Sequence, residues 1–203
     1  MPEPRRMPLL LMLCALLAPL PAAADSPLLA KARAALRAAA PFSVDFRQQV
    51  SIDGVPEATE TGVILFAAPT HLKWTYAKPE RKVFLLEGDR YQFLNLPEHQ
   101  LLRGRIAREG DRLLWQLLDE TRPAPGKSVR EERGRIVIES REGEDSLHLE
   151  IELDAGGLPS RVVQEDDSGV RNETRFSHYR TRLSLRPGDL TLEIPPGTEI
   201  VDE

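Results

Sequence analysis

Between Phe42 and Asn95 apolar and polar side chains alternate with a period of two, in short runs broken by turn residues. That pattern restricts the segment to an antiparallel sheet. Phe42, Val44 and Phe46 interleave with Ser43, Asp45 and Arg47; Leu72, Trp74 and Tyr76 flank Lys73 and Thr75; Tyr91 and Phe93 flank Gln92. By strand parity the apolar members share one face. Asp53-Gly54, Lys78-Pro79 and Gly88-Asp89 supply turns between the runs. In Val63–Phe66 and Val83–Leu86 every position is apolar, so both faces of the sheet need cover there.

Upstream, Ser26-Pro27 reads as an N-cap followed by an N1 proline, and Leu28, Leu29, Ala32 and Leu36 recur at helical spacing until Pro41. A short amphipathic helix is expected over 111–119. Strands are expected near 62–67, 72–76, 82–87, 91–95, 129–133, 135–140, 147–153, 160–165, 171–183 and 190–194, about eleven in all with the one from Phe42. No Gly/Ser- or Pro-rich linker divides the chain, so a single domain is expected. Two or three helices can cover only part of such a sheet. The economical arrangement is an incomplete (half) antiparallel β-barrel with a helical lid over an apolar cavity, the alternative being an ordinary filled core.

The first residues carry an export pattern: Arg5 and Arg6, an apolar run Leu9–Leu17, and Ala22-Ala23-Ala24 before Asp25. Residues 1–24 are expected to be a signal peptide and 25–203 the mature domain, placed in the periplasm. The single cysteine, Cys14, lies inside that segment, so disulfide and thiol chemistry are not expected of the mature protein. A net charge of −5, with signs interspersed, excludes a basic stripe for nucleic acid. Four isolated histidines give no zinc spacing, no G-x-S-x-G elbow or phosphate loop is present, and Glu131-Glu132 and Asp166-Asp167 are adjacent, which on a strand sends them to opposite faces. The inventory points to a binding protein, not an enzyme, without metal or cofactor.

Phe42-x-x-x-Phe46-x-Gln48, Pro69-x-x-Leu72-x-Trp74, Pro79-Glu80, Gly88, Asn95 and the ending Pro195-Pro196-Gly197-x-Glu199-x-Val201-Asp202, in this order behind an export signal, resemble the periplasmic outer-membrane lipoprotein carriers of the LolA family. The resemblance implies a monomeric half-barrel that shields lipoprotein acyl chains. It would load from an inner-membrane ABC-type exporter (LolCDE-like) and unload to an outer-membrane receptor (LolB-like). Parity and resemblance together place Val44, Phe46, Ile64, Phe66, Leu72, Trp74, Tyr76, Tyr91 and Phe93 in the cavity, and Leu29, Leu36, Leu114 and Leu118 in the lid. The family's arginine before the proline, which the resemblance makes a lid latch, is Ala68 here. That departure leaves two further readings: a carrier of another lipid, such as a glycolipid or acyl conjugate, and a lipid-sensing interaction domain.

Overall fold

The computed structural model describes residues 26–67, 71–105, 127–142 and 145–203. The export segment, Ala68, and the expected helix at 111–119 with Leu114 and Leu118 lie outside the described residues.

Helix α1 (Pro27–Ala39) begins as its sequence requires. Ser26 Oγ accepts the Leu29 amide at 3.0 Å, Pro27 occupies the first turn where no amide is needed, and Glu131 Oε1 accepts the Leu28 amide at 2.8 Å. The strands are β1 (Phe42–Ile52), β2 (Val55–Phe66), β3 (His71–Lys78), β4 (Lys82–Glu87), β5 (Arg90–Asn95), β6 (Gln100–Arg105), β7 (Lys127–Glu132), β8 (Arg135–Glu142), β9 (Asp145–Leu153), β10 (Pro159–Asp166), β11 (Val170–Thr181) and β12 (Glu199–Asp202). They form one open sheet ordered β12-β6-β5-β4-β3-β2-β1-β11-β10-β9-β8-β7, a half-barrel whose two ends do not meet. Among the described residues all ladders are antiparallel except β12 on β6, which is parallel. The β1–β2 turn is Asp53-Gly54, with φ of 50° and 79°, the left-handed pair that a two-residue hairpin demands.

Three expectations change. The expected strand at 190–194 is irregular chain, and the last strand is instead β12; β6 was not foreseen; and β2 starts at Val55, well before Gly62. In β6 the adjacent Leu101 and Leu102 blur the period of two, and β12 is drawn into the sheet by the exposed edge of β6 rather than by its own alternation.

α1 lies across one face of the sheet, here the inner face, and ties its halves together. Leu29 and Ala32 pack with Ile136, Ile138, Leu149, Ile151 and Val162; Leu36 and Ala39 pack with Phe42, Val44, Phe46, Ile64, Phe66, Leu72 and Leu86. Phe176 on β11 touches both clusters. The outer face of the first half has its own cover. Arg182 and Leu183 donate their amides to the Ala39 and Pro41 carbonyls where α1 passes into β1, Lys73 Nζ donates to the Thr191 carbonyl at 2.7 Å, and β12 arrives at β6, so residues 183–198 cross that face. Leu85, Leu94 and Leu101 are buried on that side. Among the described residues, this extended segment supplies the outer cover that the all-apolar strands need.

Candidate functional site

Register fixes which side chains share the inner face, because directly opposed residues in an antiparallel ladder point the same way. One row runs Val44, Ile64, Trp74, Phe84, Phe93 and Leu102; a second runs Phe42, Phe66, Leu72, Leu86 and Tyr91 and ends at Gly104; a third runs Phe46, Gly62, Tyr76, Lys82, Asn95 and Gln100. All nine residues assigned by parity and resemblance therefore face inward. They differ in cover. Val44, Phe46, Ile64, Phe66 and Leu72 are buried beside Leu36 and Ala39, whereas Trp74, Tyr76, Tyr91 and Phe93 are only half-buried. Leu29 covers the other half of the sheet.

The half-buried members form an aromatic shelf on β3–β5. Phe46 meets Trp74 and Tyr76 edge-on at 5.2 Å each, Trp74 and Tyr76 stack at 5.9 Å, and Phe84 stacks on Tyr91 at 6.0 Å. Two strand glycines let the rings at its ends lie low. A Cβ on Gly62 would stand 2.8 Å from the Phe46 ring and 1.9 Å from the Thr75 carbonyl oxygen, and one on Gly104 would stand 2.9 Å from the Tyr91 ring. The Tyr91 hydroxyl donates to Glu203 beside β12. Phe84 belongs to the shelf but escapes sequence reading, since Val83-Phe84-Leu85-Leu86 offers no polar neighbour to set parity.

A polar group borders the shelf. Lys82, opposite both Tyr76 and Asn95, pairs with Glu60 at 3.4 Å and Glu80 at 3.2 Å, and the Lys82–Glu60 pair is mostly sheltered, with side chains 22% and 14% exposed. Burial alone would lower the Lys82 pKa, but the two carboxylates outweigh it and raise it. Burial, with the Glu60 charge, raises the Tyr76 pKa, so its phenol stays neutral. Trp74 Nε1 and Asn95 Oδ1 are buried without a hydrogen-bond partner among the described residues.

No family model and no curated protein matches the sequence. Solved structures do match the fold. The chain is similar to an uncharacterised conserved protein from Thermus thermophilus, at 14% identity and TM-score 0.52, covering 87% of this chain and 97% of the other. It is likewise similar to the LolA superfamily protein NE2245 from Nitrosomonas europaea, at 12% identity and TM-score 0.50, covering 81% and 96%. The fold is LolA-like. Among the described residues no group of His, Cys, Asp and Glu could hold a metal ion, and no helix is long and apolar enough to cross a membrane. A polar hollow of about 620 Å³ on β7–β9, lined by Ser128, Glu139, Ser140, Arg141, Ser146, Leu147 and His148, lies at the far end of the sheet from the shelf.

Proposed function

We propose that this protein is a periplasmic carrier of acyl chains, lipoprotein acyl chains being the expected cargo, and that the chains lie on the aromatic shelf. The observation that carries this reading is the uneven cover of one apolar face: Trp74, Tyr76, Phe84, Tyr91 and Phe93 continue a buried core outward but are only half-buried. A sixteen-carbon chain in water is unfavourable by on the order of 12 kcal/mol, at about 0.8 kcal/mol per methylene. Release to an acceptor membrane requires that the carrier's hold stay below that figure, and a shallow shelf of rings holds less than a closed pocket. The export pattern at the N-terminus and the resemblance to LolA carriers support the compartment and the exchange between an inner-membrane exporter and an outer-membrane receptor. Nothing in the residue inventory supplies catalysis, which favours a binding role. Mass spectrometry of species co-purified from the periplasm tests the proposal: acylated lipoproteins or lipids in stoichiometric amount are expected, and a ligand-free protein that also fails to bind a fluorescent acyl probe would sink it.

A further inference from the structure

The shelf is not uniformly apolar, and its polar border has unused bonding capacity. A lysine ammonium has three donors; two of those on Lys82 face Glu60 and Glu80, leaving one among the described residues. Trp74, stacked on Tyr76 and diagonal to Lys82 on the same face, has its indole N–H unpaired, and Asn95, directly opposite Lys82, has its amide oxygen unpaired. A buried donor, a buried acceptor and the remaining proton of a lysine whose side chain is 22% exposed thus lie at neighbouring register positions on one border of a shelf of rings. An orphaned buried polar group is unfavourable, and a ligand that completes it gains that difference on binding.

Resting on the carrier reading, we infer that the shelf selects acyl ligands by their head: Trp74, Lys82 and Asn95 receive a neutral head that carries both a carbonyl and a nearby donor, the N–H of an acyl amide or a glycerol O–H of an acylglycerol. The carbonyl oxygen takes the Trp74 N–H or the remaining Lys82 proton, and the ligand's own N–H or O–H meets Asn95 Oδ1. A carboxylate head is disfavoured on two counts. It has no proton for Asn95, and the Lys82 charge is already shared by two carboxylates, so no uncompensated cation awaits an anion.

Displacement of a fluorescent acyl probe from the purified protein tests this, with N-palmitoylethanolamine, 1-palmitoylglycerol and palmitate as competitors at about pH 8, where the carboxylate is fully ionised. The two neutral heads are expected to bind about tenfold more tightly than palmitate, the worth of one to two sheltered hydrogen bonds. Lys82→Met and Asn95→Leu should each narrow that ratio to about threefold or less. The amide and the ester separate the two sources of the same chemistry, and preference for either over palmitate supports the inference. Asn95→Leu leaves the Glu60 ion pair intact and answers the question should Lys82→Met fail to fold. Equal binding of all three, preference for palmitate, or a preference untouched by both substitutions overturns the head-group inference and leaves the carrier reading standing. A protein that binds neither the probe nor any of the three competitors overturns the carrier reading.

Discussion

The two halves of the sheet solve the same burial problem differently. On β8–β10 the inner face is aliphatic and closed: Ile136, Leu149 and Ile151 are at most 1% exposed beneath Leu29 and Ala32. The outer face of that half is an ionic lattice. Arg161 bonds Glu152 at 2.9 Å and Glu173 at 2.8 Å, Arg135 bonds Glu150 at 3.3 Å and Glu152 at 3.0 Å, and Arg175 reaches Glu173 at 2.7 Å. On β1–β6 the inner face is aromatic and half-covered, and the outer face, where Leu65, Val83, Leu85, Leu94 and Leu101 stand among polar side chains, is strapped by residues 183–198. Branched aliphatic side chains interlock with a helix and leave no space, whereas large planar rings laid over glycines leave a low surface that a flexible chain can contact. On the proposed carrier reading, the first half is the surface on which an acyl chain lies and the second holds the frame.

The comparison breaks most sharply if stability is spread evenly. Leu149→Ala is expected to cost about 2–5 kcal/mol in urea unfolding, the range for a packed aliphatic core, with acyl-probe affinity in the folded protein unchanged. Trp74→Ala should cost less than the roughly 3–5 kcal/mol of a fully packed aromatic while weakening the probe at least several-fold. Equal losses with unchanged probe binding would make Trp74 ordinary core. The shelf glycines sharpen the point. Gly62→Ala should destabilise by more than Gly104→Ala, within the roughly 1–3 kcal/mol typical of overpacking, because the first Cβ meets backbone and the second meets a ring that can swing away.

Smaller effects address the outer lattice and the helix start. The Arg161 guanidinium, hydrogen-bonded to Glu173 against the opposing effect of burial, holds that carboxyl down to about 2 from an ordinary 4.5. The folded state therefore binds this proton less readily than the unfolded chain. Glu173 contributes its full stabilisation above pH 4.5 and loses it as pH falls from there towards about 2. Glu173→Gln should flatten the fall in urea midpoint across that window, and an unchanged slope would remove Glu173 from the account. Ser26→Ala should cost about 0.5–2 kcal/mol through the lost cap, loosening the inner face of both halves together because α1 spans both clusters, as hydrogen exchange at β1 and β8 would register.

Alternation, turn chemistry and capping are local properties, so the sequence alone determined the start and stop of α1, the hairpin turns, the antiparallel sheet and the inward side of Val44, Phe46, Leu72, Trp74 and Tyr91. Each of those side chains has polar neighbours that fix its parity within two residues. Phe84 has apolar residues on both sides and its polar neighbour Lys82 lies on the same face, so only its pairing with Trp74 and Phe93 places it on the shelf. Gln100–Arg105 is the hairpin partner of Arg90–Asn95 and is hidden in the sequence by its adjacent leucines, whereas Glu199–Asp202 is a strand because it completes the open edge of Gln100–Arg105 across about a hundred residues, a long-range cause that no local window contains. The same holds for Glu60 and Lys82, ordinary surface charges in the sequence that the register of three strands brings to the border of the rings. Which side chains α1 covers was likewise decided by tertiary structure, because that depends on where a thirteen-residue helix comes to rest on a sheet much wider than itself.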